Sequence, residues 1–157
     1  MERIMKQFIK VFLVASLFTS SYAAEKTPVG YWKTIDDHTG RTKSIIQIYH
    51  ADNDTLMGKV IKIYPGPGKT EKEVCIACKG EKLNQPIVGM VILSGLRAAE
   101  NQWDKGQILD PENGKTYSCS VKVGANGNQL KVKGYIGLPI IGRSQTWERV
   151  DVMSASG

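Results

Sequence analysis

The residues most able to carry chemistry in this 157-residue chain are three cysteines, two histidines and a few carboxylates in turn-like surroundings. Cys75 and Cys78 form a Cys-x-x-Cys pair, a spacing shared by short-loop disulfides, half zinc sites and thioredoxin-like redox centres. A zinc site needs two more ligands, and only Cys119, His38 and His50 remain, with no second close pair. A thioredoxin-like centre sits on a strand–helix–strand unit, for which the chain has no pattern. An oxidised structural pair suits an exported protein, so a Cys75–Cys78 disulfide is expected, with no metal and no cofactor. Cys119 lies on the apolar face of an alternating stretch and reads as a buried small hydrophobe. A catalytic thiol would need an exposed thiolate and a histidine in reach. Asp36-Asp37 and the pair Asp110 and Glu112 fall in turns, where such side chains cap backbone donors. Ser94-Gly95 lacks the Gly-x-Ser-x-Gly of a nucleophile elbow. No catalysis is expected.

The aromatic residues point elsewhere. Tyr31, Trp32, Tyr49, Tyr117, Tyr135 and Trp147 all fall in strand-like runs, and several are placed to line a cavity. In the last run Arg143, Gln145, Trp147 and Arg149 share one face by the period of two. Ile141 and Ser144 do not decide whether that face points inward or outward.

Positioning these residues falls to β-strands. After the N-terminus helical periodicity is nearly absent, and short β-branched runs alternate with turn chemistry at the spacing of a barrel or sandwich. The runs are Val29 to Ile35, Ser44 to His50, Leu56 to Tyr64, Ile87 to Leu96, Trp103 to Leu109, Thr116 to Val123, Gln129 to Tyr135 and Ile140 to Arg149. Asp36 to Gly40, Ala51 to Asp54, Pro65-Gly66-Pro67-Gly68, Asp110 to Gly114, and Gly137-Leu138-Pro139 separate them. Asn126-Gly127 is a strong hairpin signal. The almost continuous apolar run Ile87 to Leu96 is expected to be buried. Short sequential connections favour antiparallel neighbours, and closing such a meander removes its edges. The expected fold is therefore all-β: a single antiparallel up-and-down β-barrel of about eight strands, lipocalin-like, with a two-sheet sandwich as the alternative.

The N-terminus has its own logic. Arg3, Lys6 and Lys10 form a basic region, Val11 to Phe18 is a short apolar core, and Ser20-Ser21-Tyr22-Ala23 supplies small residues for cleavage. That layout is a secretory signal peptide over residues 1–23, cut after Ala23. The apolar run is too short to cross a bilayer, which takes ~20 residues, so no transmembrane segment is expected. The barrel domain is assigned to 24–150 and a flexible tail to 151–157, in a periplasmic or secreted protein. Of the whole chain's formal charge of +6, three cations and one anion lie in the leader, which leaves +4. The remaining lysines alternate with apolar residues along strands, as on a solvated sheet face, whereas a nucleic-acid binder clusters them. No nucleic-acid partner is expected.

Two resemblances add to this reading. Gly30-Tyr31-Trp32 heading the first strand, with Arg143 and Arg149 in the last, resembles the lipocalin signature. That resemblance implies a tryptophan closing one barrel end with a final-strand arginine across its ring, a favourable cation–π stack. Trp32 and Arg149 are the residues assigned to that closure. The Thr-Asp-Tyr motif of true lipocalins is absent and their C-terminal helix is not expected, so the resemblance is to the architecture. A second resemblance runs through Gly-Tyr-Trp-Lys-Thr-Ile-Asp-Asp (30–37), Gly58-Lys59-Val60, Cys75-x-x-Cys78, residues 106–117 and Gly-Arg-Ser-Gln-Thr-Trp (142–147). These segments are similar, in order, to an exported bacterial family catalogued as domain of unknown function 2147. The resemblance implies an exported lipocalin-like small barrel and no established activity.

The function expected is binding of a small hydrophobic or amphipathic ligand, since such sites are mostly apolar with a few placed polar groups. Tyr117, Val121 and Leu130 are the expected apolar wall, with Arg143 as the polar contact near the mouth. The alternatives are an envelope protein-interaction module with a packed barrel, or a hydrolase-type enzyme using Asp and Arg at the mouth.

Overall fold

Alternating polar and apolar residues suit a sheet that is wet on one face and packed on the other, and here that sheet closes on itself. The computed structural model describes residues 26–70, 72–151 and 153. Its strands are β1 (Gly30–Ile35), β2 (Thr42–His50), β3 (Leu56–Ile63), β4 (Val91–Ala98), β5 (Trp103–Asp110), β6 (Lys115–Val123), β7 (Gln129–Tyr135) and β8 (Gly142–Val150). Each strand pairs antiparallel with the next, and β1 pairs with β8 to close the barrel. The up-and-down barrel expected from the sequence is therefore the fold. The expected signal peptide and its cleavage after Ala23 lie outside the described residues. Of the tail, Asp151 and Met153 are described, and both are exposed.

Register fixes which residues face inward. Trp32 stands opposite Ile46 on one side and Arg149 on the other. Across β5 to β8, Ile108 faces Tyr117, and Cys119, Gly134 and Arg143 form one row. The row Val121, Val132 and Gln145 lies beside it, followed by Val123, Leu130 and Trp147. The packed core holds Trp32, Ile46, Ile48, Leu56, Val60, Leu93, Leu96, Val121, Leu130 and Trp147, all buried. Outward positions carry charge, as in the Lys33–Glu148 ion pair at 2.7 Å across the β1–β8 seam.

Two expected runs begin later than their apolar residues suggest. Ile87 to Met90 precede β4: Ile87 N donates to Glu73 O, and Gly89, at φ +92°, donates to Val60 O. That stretch turns into the strand, and Val88 is exposed. Likewise Ile140 and Ile141 are loop, because Pro139 has no ladder donor and pairing starts at Gly142 opposite Tyr135.

The long connection from Tyr64 to Met90 forms an arm beside the barrel, with one turn of 3-10 helix at Gly80–Lys82. A Val74–Pro86 bridge ties its two halves together. Cys75 and Cys78 are bonded to each other, with S–S 2.02 Å. Their loop packs on the β5–β6 turn so closely that a Cβ on Gly114 would fall 1.8 Å from Ala77 O. Gly114 also sits at φ +69°, so only glycine suits this junction.

Candidate functional site

One barrel end is sealed by the motif that heads the first strand. Trp32 is fully buried, its Nε1 donating to Pro28 O at 2.7 Å. The Arg149 guanidinium stacks on the indole, 4.2 Å from the ring centroid. It also donates to three backbone oxygens: Nε to Gly127 O (2.7 Å), Nη1 to Val29 O (3.0 Å) and Nη2 to Thr27 O (2.6 Å). Residues 27–29, just before β1, are thereby strapped across the barrel end. Gly30 is explained by the same geometry. It adopts φ +132°, which L side chains rarely adopt, and a Cβ there would lie 2.7 Å from Arg149 Nη1. The glycine makes room for the arginine that covers the tryptophan.

The other end is open, over a cavity of about 810 Å³. Its apolar wall comes from Val60, Ile63, Ile92, Ile108 and Val132, with Trp147 towards the floor. A polar stripe runs along the inward face of β8. Trp147 Nε1 donates to Gln145 Oε1 (3.4 Å), Gln145 Nε2 donates to Asp37 Oδ2 (3.1 Å), and Arg143 Nη2 donates to the same oxygen (2.6 Å). These hydrogen bonds, Arg143 foremost and then Gln145, hold the Asp37 carboxyl below its ordinary pKa of 3.8. Thr34 and Ser44 share a 2.7 Å hydroxyl hydrogen bond on the same lining. Tyr117 presents its ring to the cavity, and its OH accepts from Asn113 Nδ2 at 3.2 Å.

Four loops form the rim: β1–β2, the start of the arm, β5–β6 and β7–β8. Asp36 and Asp110 build two of them. Asp36 Oδ1 accepts from His38 N, Thr39 N and Thr39 Oγ1, and these bonds, those of Thr39 first, hold its pKa down. Asp110 Oδ1 accepts from Glu112 N.

The shared face of Arg143, Gln145, Trp147 and Arg149, which the sequence left without a direction, points inward. Tyr117 and Arg143 line the cavity, but Arg143 already has Asp37 as its ionic partner. Val121 and Leu130 lie in the packed core and are not among the cavity-lining residues. The wall that they were expected to form is supplied by Ile63, Ile92, Ile108 and Val132 instead. Thr34 and Ser44 were not singled out from the sequence. Thr34 could have been: it lies two residues after Trp32 and so shares its face. Cys119 is fully buried, and desolvation pushes its thiol up to about 12. Among the described residues, no group of three or more His, Cys, Asp or Glu is placed to hold a metal ion.

Comparison with known proteins agrees with this geometry. The solved structure of protein HP1028 from the human pathogen Helicobacter pylori, described as belonging to the lipocalin family, superposes with a TM-score of 0.70. The match covers 84% of this chain and 88% of that one at 20% identity, a likeness of fold. No curated protein matches the sequence. The model of the family described as uncharacterized protein conserved in bacteria (DUF2147) matches residues 30–149. Its span runs from the glycine of the sealed end to the arginine that stacks there, and the chain belongs to that family.

Proposed function

We propose that this protein is an exported carrier or sensor of one small amphipathic molecule, held in the barrel cavity without covalent chemistry. The observation that supports the reading is the cavity itself: about 810 Å³, apolar-walled, open at one end and plugged at the other. Small-molecule sites usually measure about 300–1,000 Å³ and combine apolar walls with few polar groups. The ligand's apolar body packs against Ile63, Ile92, Ile108 and Val132, and its head meets Gln145, Arg143 and Asp37 at the mouth. Because Asp37 already neutralises Arg143, the clasp offers donors and an acceptor together. A neutral or zwitterionic head fits that pattern better than a bare carboxylate, which would have to displace Asp37.

Gly134 provides the test. It faces the cavity, and a Cβ built on it would meet Ile108 Cγ2 at 3.6 Å and Tyr117 Cβ at 3.7 Å, which is ordinary contact. Gly134→Leu therefore places a branched side chain in the ligand's space with little strain on the barrel. A fluorescent apolar probe titrated into the purified parent should bind saturably. The variant should bind at least tenfold more weakly with a nearly unchanged urea midpoint. Absence of saturable binding by the parent, or equal binding by both, would reject the cavity as the site.

A further inference from the structure

The β7–β8 loop at the barrel mouth carries a group of apolar side chains that no other part of the described residues covers. Ile136, Leu138, Ile140 and Ile141 are between 67% and 84% exposed. No charged residue occurs from Gly134 to Gly142. The loop is a formed turn, with Ile141 N donating to Leu138 O at 3.1 Å and Gly137 at φ +73°. Isolated exposed aliphatics are common on soluble proteins, but a contiguous exposed group marks an interaction site.

We infer that this loop docks the barrel mouth onto a lipid bilayer by inserting its aliphatic tip below the headgroups. Two observations select a bilayer as the occupant. The first is charge. Around the rim the cations are largely paired: Arg143 with Asp37, Lys43 with Glu112 and Lys69 with Glu73. The collar around the tip is thus close to neutral. A polyanion finds no basic face here, whereas a zwitterionic surface meets an apolar wedge. Tyr135 and Lys133 stand at the loop's base, residue types that settle at the membrane–water boundary. The second is continuity. Ile136 and Ile141 are exposed to solvent and also line the cavity. An apolar path therefore runs from the tip into the barrel, along which a poorly soluble molecule can pass without crossing water. A protein-binding hot spot is typically anchored by tryptophan, tyrosine or arginine, and the tip has none of these. Docking does not require a loaded cavity, so it stands or falls apart from the proposed ligand.

The experiment uses the purified chain with phosphatidylcholine vesicles. The parent should cosediment with them, and raising salt should change the bound fraction by less than twofold, as expected for apolar insertion. Leu138→Asp combined with Ile140→Asp should reduce binding at least tenfold while leaving the urea midpoint and soluble-probe affinity unchanged. Leu138→Trp should add fluorescence that brominated phosphatidylcholine quenches, reporting the tip directly even if the double variant misfolds. The inference is overturned if the parent stays in the supernatant, if the double variant binds equally, or if the fluorescence added by Leu138→Trp is not quenched. It is also overturned if the tip instead holds two copies together, seen as a dimer that the double variant dissolves without any vesicle binding.

Discussion

At the sealed end, a tryptophan, an arginine and three backbone carbonyls fill the bore of the barrel, and each of the three guanidinium nitrogens donates to a backbone oxygen. At the open end, four loops surround a cavity, and the ion pairs are exposed to water. The same eight strands serve both ends, so the difference lies in what the turns bring together. The sealed end concentrates its contacts on two side chains, Trp32 and Arg149. The open end spreads exposed contacts over residues far apart in the chain and leaves the cavity between them unfilled.

The widest gap between the two ends should appear with Trp32→Ala. Removing a large buried aromatic typically costs about 3–5 kcal/mol, and here it also leaves Arg149 over a void. Chemical denaturation should show a loss in that range. A cost under about 1 kcal/mol, the range of an ordinary surface position, would mean that the plug is not what holds this end.

A middle effect is expected where the open end is braced. The Cys75–Cys78 bond closes a loop of only four residues, so the entropy it removes from the unfolded chain corresponds to about 2 kcal/mol. Replacing both cysteines by serine should lower stability by that amount and loosen the Asp110–Gly114 turn on which the loop packs. Alkylation mass spectrometry sharpens the point. The native parent should take no label, since Cys119 is buried with its thiol pushed up to about 12. Denaturation should add one label, and reduction two more. A loss as large as that of Trp32→Ala would erase the contrast between the ends.

Legibility in the sequence follows the same division. The sealed end was readable because its parts are local or periodic: Gly30 and Trp32 lie two residues apart, and Arg149 occupies a strand whose alternation is plain. The strands were readable for the same reason, with Asn126-Gly127 and Asp110 to Gly114 marking turns that the structure contains. The cavity was harder. Its wall joins Ile63, Ile92, Ile108 and Val132 from four strands, and depth along the bore depends on strand stagger, which no single run encodes. Val121 and Val132 show the limit: they are cross-strand partners, yet only Val132 lines the cavity. The apolar residues Ile140 and Ile141 misled for a related reason. Hydrophobicity suggested that the strand starts at Ile140, while the preceding proline and the register of β8 left both residues in an exposed loop.

The smallest effect concerns the clasp at the mouth, and pH isolates it. Hydrogen bonds from Arg143 and Gln145 hold the Asp37 carboxyl below its ordinary value of 3.8. A carboxyl whose pKa is lower folded than unfolded binds fewer protons in the native state, so stability rises with pH across that window. The contribution of Asp37 is therefore fully present above the unfolded value and disappears as pH falls through the lower folded one. Both partners are substantially exposed, and such pairs contribute only about 0–1 kcal/mol. Asp36 shifts in the same direction, so the parent's curve alone cannot separate the two. Asp37→Asn removes one and keeps the other. The stability difference between parent and variant, taken from urea midpoints, should be small but measurable at pH 7 and low salt. It should shrink in 1 M salt, where charges are screened over about 3 Å, and shrink again as pH drops below 3.8. A difference that persists at low pH would mean that Asp37 acts at the rim through its shape and hydrogen bonds, so that charge plays no part in holding the mouth.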